Sequence, residues 1–216
     1  MGAGKSSVID MILGIDKATV GHGRLGETLR RTVYPVEIDG KKYILHDTVG
    51  LGEYTNGTVD NPEAIKHLYR LVADLSDSGG INLLIYVIRC NERPAETLRK
   101  NYSLLHSGFC ESKVPIVIVV TGCENVQPTM DTWWIDHEHS FTQAGMSFDG
   151  YACVCAFKGT TTANGAYCNE DFVEDSVEVV RQLVIQNCRS NGWKKVWHPY
   201  PQSSAARDLH TETFVI

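Results

Sequence analysis

Short, β-rich apolar runs alternate along the chain with stretches in which apolar residues recur every three or four positions. The runs cover residues 32–38, 41–46, 81–88, 115–120 and 151–157. The last three are almost continuously apolar, which is typical of strands that are covered on both faces. Asp39-Gly40, between the first two runs, favours a two-residue hairpin turn. The alternation predicts an α/β fold with a mostly parallel sheet flanked by helices.

Three stretches carry the start signals and the spacing of amphipathic helices. One helix is predicted from Asn61-Pro62 to Gly79-Gly80, because a capping side chain and a proline with a preset φ precede apolar residues on one face. Pro94 and Asn169 begin two further stretches with this spacing, and residues 129–144 form a less regular one. From residue 193 the period is lost among prolines and serines. We predict one domain over residues 1–190 and an irregular tail over residues 191–216.

The composition is that of an ordinary globular domain. The 216 residues are 43% hydrophobic and 21% charged, which excludes a disordered or collagen-like chain. The net charge of −6 includes no long basic run, so nucleic acid is not expected as a partner. No apolar run approaches the ~20 residues that span a bilayer. The aromatic and basic residues 193–200 are expected to pack on the domain itself, without membrane contact.

Cysteine usage and the first residues bear on the compartment. Seven cysteines are scattered along the chain, a pattern that favours reduced thiols over a disulfide framework. The first residues do not show the charged and apolar regions of a secretory signal. We therefore expect a cytoplasmic protein.

The first residues carry the clearest chemical motif. Residues 2–7 run directly into an apolar helical stretch, and together they match the second half of a P-loop. In such a loop phosphate oxygens are surrounded by backbone N–H groups, here those of Gly2, Ala3, Gly4, Lys5, Ser6 and Ser7. The helix that follows adds its positive end. Lys5 would reach the terminal phosphates, and the Ser6 hydroxyl would coordinate Mg²⁺.

The first half of the P-loop pattern is absent from the sequence. The complete pattern has a glycine four residues before Gly4 and a strand ahead of that glycine. Two other interpretations of these residues stay open. One is a glycine-rich amino terminus without a ligand, and the other is N-myristoylation, since Met1-Gly2-x-x-x-Ser6 fits that motif.

A second motif, Asp47-Thr48-Val49-Gly50, follows the run at residues 41–46. An aspartate at the carboxyl end of a strand can hold Mg²⁺, and a glycine three residues later can present its N–H to a γ-phosphate. Lys5 and Asp47 are 42 positions apart, which leaves room for one helix, one loop and a hairpin. We assign Asp47 to the metal and Gly50 to the nucleotide, with an ordinary turn as the alternative.

A third motif, residues 121–125, follows the run at 115–120 and offers a base-recognition site. The Glu124 carboxylate can accept two hydrogen bonds from the ring N–H and the exocyclic amine of guanine, which adenine does not offer. Thr121 belongs to the same motif. Lys158 lies in residues 156–159, after the last run, where backbone N–H groups can meet the guanine oxygen. The alternative for Glu124 is a solvated loop carboxylate.

The three later motifs each follow a predicted strand, and carboxyl ends of strands form the ligand-binding edge of open α/β sheets. On these motifs and their order, the chain resembles the TRAFAC class of P-loop GTPases, and within it the septin-like branch with the immunity-associated and Toc-type GTPases and fungal G-domain proteins. The resemblance implies a three-layer G domain over residues 1–190 that binds GTP or GDP with Mg²⁺ and hydrolyses GTP slowly. It also implies a switch threonine on Mg²⁺ and the γ-phosphate, which falls on Thr28, with Thr32 as the competitor.

Several departures from the family pattern limit this expectation. The lysine that usually packs on guanine is replaced by Gly122, and Leu51 stands where Ras-like enzymes place a water-orienting glutamine. Unaided turnover should therefore be slow. The G domain would also lack its first, central strand, which would leave two neighbouring strands with unpaired edges. The resemblance further implies a homodimer across the nucleotide.

Two other functions stay open. One is a degenerate G-domain scaffold that does not hydrolyse nucleotide, which Leu51 and the missing glycine favour. The other is an ATP-dependent small-molecule kinase, which also has a P-loop at this chain length. A preference for ATP over GTP would distinguish the kinase from both G-domain interpretations.

Overall fold

The computed structural model describes residues 3–14, 32–47, 62–161, 167–195 and 212–215. The strands are β1 (Thr32–Ile38), β2 (Lys41–Asp47), β3 (Leu83–Arg89), β4 (Ile116–Thr121), β5 (Gly150–Val154) and β6 (Glu212–Val215). The α-helices are α1 (Lys5–Leu13), α2 (Pro62–Asp77), α3 (Glu96–Tyr102), α4 (Thr132–Gln143) and α5 (Glu170–Asn187). None of the described helices is long and apolar enough to cross a membrane.

The strands form one sheet in the spatial order β1-β2-β6-β3-β4-β5. β1 runs antiparallel to β2, and every other neighbouring pair is parallel. Asp39 and Gly40, which join β1 to β2, both have positive φ, at 50° and 76°. This is the two-residue hairpin turn that the sequence predicts, and it places β1 at one edge of a mostly parallel sheet.

Two hydrophobic cores cover the two faces of the sheet. Side chains along β4 alternate between them: Ile116, Ile118 and Val120 join the core under α2, α3 and α4. Val117 and Val119 join the core under α1 and α5. Because a strand sends successive side chains to opposite faces, a continuously apolar strand requires helices on both sides. The predicted three-layer α/β fold is confirmed.

The end of the chain differs from the predicted irregular tail. Residues 212–215 form β6, which lies between β2 and β3 and runs parallel to both. Trp193 forms an antiparallel bridge with Ile81, so residues near 193 also contact the domain. β6 has four residues, too few to show a period, and it follows a stretch rich in proline and serine. β6 therefore pairs with the facing edges of β2 and β3.

The predicted helix after Pro94 is divided into two geometries. α3 continues into a π-helical segment, Ser103–Phe109, instead of remaining α-helical. In this segment the His106 Nε2 lies 3.1 Å from the carbonyl oxygen of Val114, and its buried Nδ1 has no hydrogen-bond partner among the described residues. Burial lowers the pKa of His106, although the bond to Val114 opposes the shift.

His106 should make the stability of the domain depend on pH. Since its pKa is lower in the folded chain than in the unfolded chain, the unfolded chain takes up more protons below about pH 6.5. The free energy of unfolding should therefore fall as the pH drops from 7.5 to 5.5. Urea denaturation of the wild type and of His106→Gln checks this, and we expect the smaller fall in the variant. An equal fall in both chains would contradict the assignment.

Candidate functional site

The first turn of α1 presents backbone N–H groups at the carboxyl edge of the sheet. Gly4 precedes the helix with a left-handed φ of 86°, and no side chain caps this end. The first intrahelical hydrogen bond runs from the Val8 N–H to the Gly4 carbonyl, at 3.0 Å. The N–H groups before Val8 therefore precede the helical ladder, as in an anion-binding helix terminus. Ser6 is exposed on this turn, and Ser7 is half-buried beside it.

Thr121, at the end of β4, supports the loop before α1. Its hydroxyl donates to the Ala3 carbonyl oxygen at 2.8 Å and lies 3.2 Å from the carbonyl oxygen of Ile88. A Cβ built on Gly4 would lie 2.9 Å from the Thr121 side chain, so a glycine is required here by contact as well as by φ. Thr121 is buried, and its hydroxyl holds the loop before α1 against β4. Its predicted contact with the nucleotide stays a prediction.

Lys5 and Asp47 form an ion pair at the mouth of this loop. The Lys5 Nζ contacts the Asp47 Oδ1, and both side chains are about one-fifth exposed, at 21% and 22%. Lys5 begins α1 and Asp47 ends β2, so two motifs 42 positions apart meet in one place. An ammonium group, a carboxylate and the Ser6 hydroxyl thus lie near one helix terminus. Mg²⁺ in nucleotide sites uses few protein ligands, commonly one or two carboxylates besides the phosphates, and this set fits that requirement.

Glu124 lies beyond β4, in the loop that follows Thr121. Its Oε2 atom is buried and has no hydrogen-bond partner among the described residues. The pKa of the Cys155 thiol is raised mainly by burial, and the neighbouring Glu124 carboxylate adds to the shift. A buried carboxylate oxygen without a donor is costly for the folded chain, because its hydration is lost without replacement. A ligand with two adjacent N–H donors would satisfy it.

The loop after β5 forms the neighbouring wall of this region. Cys155 is buried, and its thiol donates to the Phe157 carbonyl at 3.2 Å. Lys158 is half-buried in the same loop, with its Nζ 5.8 Å from the centroid of the Tyr167 ring. Its carbonyl accepts a 3.0 Å hydrogen bond from the Asn169 N–H, just before α5. The loop after β5 therefore lies near Glu124 through Cys155 and is bonded to the start of α5 through Lys158.

Some predicted site residues lie outside the described residues: Gly2, Thr28, Gly50 and the neighbouring Leu51. Thr32, the competitor for the switch threonine, begins β1, and its Cα pairs with that of Asp47 in the hairpin. The roles of these residues stay predictions.

Sequence reasoning missed a contribution from the end of β3. The Cys90 N–H donates to the Thr121 carbonyl at 2.9 Å, and its thiol donates to the Gly122 carbonyl at 2.7 Å. Burial is the main cause of the raised pKa of this thiol, so it stays protonated and able to donate. Cys90 fixes the backbone between Thr121 and Glu124. The position of Cys90 two residues after the predicted buried strand at residues 81–88 was the available signal.

The motifs therefore share one edge of the sheet. Asp47 contacts Lys5, and Thr121 contacts the loop before Lys5. Glu124 follows Thr121 by three positions and adjoins the loop after β5. The arrangement offers donors and a cation for phosphate at one end and an acceptor pair for a base at the other.

Comparison with known proteins gives a family and a fold. A family profile described as 50S ribosome-binding GTPase matches residues 1–122. No curated protein matches the chain. The structure of Era in complex with MgGDPNP and a segment of 16S ribosomal RNA is similar, with 17% sequence identity and a TM-score of 0.51. A variant of SsGBP is similar at 16% identity and a TM-score of 0.50.

Coverage in these two comparisons is unequal. The match to Era covers 92% of this chain and 56% of the Era chain. The match to the SsGBP variant covers 86% of this chain and 53% of that chain. This chain thus spans about half the length of the structures it matches. At these identities the likeness is one of fold.

Proposed function

Because the chain belongs to the 50S ribosome-binding GTPase family, whose members are P-loop GTPase G domains, we propose that it binds GTP or GDP with Mg²⁺ and hydrolyses GTP slowly. The observation that carries the proposal is the contact between Lys5 and Asp47 at the start of α1. Two motifs that were assigned separately to phosphate and to metal share one volume. If Asp47 belonged only to an ordinary surface turn, its contact with Lys5 would not be expected.

The end of the site at the start of α1 binds phosphate through positive charge and through the fixed positions of its N–H donors. The N–H groups at the start of α1 and the Lys5 ammonium bind the phosphate oxygens, and this positive field stabilises charge that develops on the transferred group. Ser6 and Asp47 would hold Mg²⁺, which neutralises part of the phosphate charge when it is bound. In the described structure Asp47 neutralises Lys5. A bound nucleotide offers each of them a new partner of opposite charge.

The base end selects guanine through Glu124. The ring N–H and the exocyclic amine of guanine form a pair of adjacent donors, and a carboxylate is an adjacent pair of acceptors. The buried, unpartnered Oε2 already lies in the described loop, where Cys90 fixes the neighbouring backbone. Adenine places an acceptor where guanine has the ring N–H, so it would leave the carboxylate unsatisfied.

Slow turnover is proposed from the residue at the position where Ras-like enzymes have a water-orienting glutamine. Leu51 follows Gly50 and has no group that orients water. By resemblance to the septin-like branch we propose that Thr28 completes the metal site and that a second copy faces the nucleotide, as in an assembly switch. The chain would then act through its nucleotide state more than through its rate. We propose a reducing compartment such as the cytoplasm, because seven scattered cysteines are typical of reduced thiols.

RNA is not included in this proposal. The Era structure contains ribosomal RNA, but this chain has a net charge of −6 and no long basic run. A phosphate backbone is held largely by lysine and arginine side chains. We therefore propose a guanine nucleotide as the ligand and no nucleic acid.

Single-turnover hydrolysis of GTP tests the enzymatic part. We expect phosphate release with Mg²⁺ at a rate on the order of 10⁻⁴ per second or below, as for unaided small GTPases. Release should increase with protein concentration if two copies face each other. Removal of Mg²⁺ with EDTA is the control and should abolish it.

A second candidate is a scaffold that binds guanine nucleotide without hydrolysis, and Leu51 favours it because leucine cannot orient water. Tight GDP binding with no phosphate release at any protein concentration would replace the enzyme with the scaffold. Tighter binding of ATP than of GTP would contradict both and favour a kinase.

A further inference from the structure

β6 connects two parts of the sheet that carry different halves of the candidate site. Among the described strands, β2 pairs with β1 and β6, and β3 pairs with β6 and β4. No hydrogen-bonded pairing is described between β2 and β3. The β1–β2 hairpin, which ends in Asp47, is therefore joined to the rest of the described sheet through β6. On the other side of β6 lie β3 and then β4, and Glu124 follows the end of β4 by three residues.

Contacts on both sides hold β6 in place. Four of its residues pair with residues 43–46 of β2, and two pair with Leu83 and Leu84 of β3. Val215 is buried, with 2% of its surface exposed, in the core that includes α2. Glu212 lies near Tyr43 and the Cys188 thiol: burial raises the pKa of Tyr43 to about 12, and the Glu212 charge adds to this. These contacts come from β2, β3, α2 and the end of α5.

The register places the end of β6 beside the phosphate site. Val215 pairs with His46, which is buried and directly precedes Asp47. Because β2 and β6 are parallel, both strands end at the edge where Asp47 meets Lys5. Undocking of β6 would leave unpaired N–H and C=O groups on β2 and β3. The hairpin would then be held mainly by the packing of Tyr43 and Leu45 near α1.

We propose that the gap between β2 and β3 is a strand-docking site, that its occupant is the chain's own segment 212–215, and that docking of this segment sets the affinity for guanine nucleotide. Strand addition of this kind obtains its affinity from main-chain hydrogen bonds and its specificity from alternate side chains. Here Val215 is the buried anchor. The coupling to nucleotide rests on the proposed function, whereas the docking itself does not.

The fraction of molecules in which β6 is docked sets the size of the expected effect on nucleotide affinity. If the nucleotide site is competent only while β6 is docked, the apparent dissociation constant rises in inverse proportion to the docked fraction. A variant that is docked in one molecule of ten would bind GDP about tenfold more weakly. The loss would occur although no side chain on the nucleotide had changed.

Val215→Asp in the full chain tests the inference, because a carboxylate at a buried strand position disfavours docking. We expect faster amide hydrogen exchange at residues 43–46, 83–84 and 212–215, and about tenfold weaker GDP binding. Val33→Asp is the matched control: Val33 lies on the edge strand β1 and is 46% exposed. It should leave both measurements within about twofold of the wild type. Val215→Ala, a milder change, should give a smaller loss in the same direction.

A synthetic peptide of residues 210–216, added to the Val215→Asp chain, should restore protection at residues 43–46 and GDP binding. Failure of the unaltered chain to bind GDP would overturn the proposed function. Normal GDP binding by a Val215→Asp chain that has lost protection at residues 212–215 would overturn the coupling alone. Rapid exchange at residues 212–215 in the unaltered chain would overturn the docking. Restoration that requires a second copy, seen as a dimer by light scattering, would assign the occupant to another chain and overturn docking within one chain.

Discussion

Lys5→Ala is expected to weaken GTP and GDP binding by about 100-fold, since charge-assisted hydrogen bonds contribute roughly 1.5–3 kcal/mol each. The Lys5 ammonium is the cation that the structure places beside the first turn of α1. Its removal leaves the backbone N–H groups in place, so some phosphate affinity should remain. Fluorescence titration with a labelled GDP analogue in the presence of Mg²⁺ measures the change.

The control for this variant is another lysine that pairs with a carboxylate away from the site. Lys113 contacts Glu111 at 2.9 Å, and its side chain is 60% exposed. Lys113→Ala should leave GDP affinity unchanged. Thermal unfolding of both variants shows whether the fold is retained, because Lys5→Ala also leaves Asp47 without its described cation. A folded Lys5→Ala chain that binds GDP as well as the wild type would remove the phosphate site from α1.

The contact between Lys5 and Asp47 was predictable because the position of each residue follows from local sequence patterns. A glycine-rich turn precedes a helix, an aspartate follows a strand, and parallel strands bring their carboxyl ends to one edge. The two buried strands β3 and β4 were predictable for a related reason. Their apolar runs have no polar face, so helices had to cover both sides.

Other parts of the structure depend on long-range contacts that leave no local pattern. β6 is recruited by the unsatisfied edges of β2 and β3, and its own four residues carry no period. The role of Thr121 as a support for the phosphate loop depends on the close approach of Gly4, 117 positions earlier in the chain. The π-helical segment Ser103–Phe109 continues the apolar spacing of the helix before it, since Leu98, Tyr102, Leu105 and Phe109 lie three or four positions apart. In each case tertiary packing decides between locally similar alternatives.

The candidate site also combines features that the sequence predicts with features that only the structure shows. The sequence identifies Glu124 as a carboxylate after a strand, which describes many solvated loops equally well. The structure adds that its Oε2 is buried without a donor and that Cys90 holds the adjacent backbone. A solvated carboxylate would be hydrated and would need neither feature. The base-recognition role of Glu124 thus becomes a proposal with a specific chemical test.

Glu124→Gln should reverse the base preference of the chain. A glutamine presents one acceptor and one donor, so against guanine its NH₂ group faces another donor and the pairing fails. Xanthine keeps the ring N–H and replaces the exocyclic amine with a carbonyl oxygen, which is the complement of the amide. We expect GDP affinity to fall by about 100-fold or more, because a site built on hydrogen bonds discriminates strongly when its groups are left unpaired. Xanthosine diphosphate should become the tighter ligand.

Competition between GDP and xanthosine diphosphate for a labelled nucleotide measures this reversal in one experiment. Glu138→Gln is the control, since it makes the same change at an exposed position on α4. It should keep the preference for GDP. A gain in affinity for xanthosine diphosphate is informative because a damaged or misfolded site would lose both ligands. If Glu124→Gln loses both nucleotides while Lys5→Ala loses only affinity and keeps its preference, Glu124 supports the loop and does not read the base.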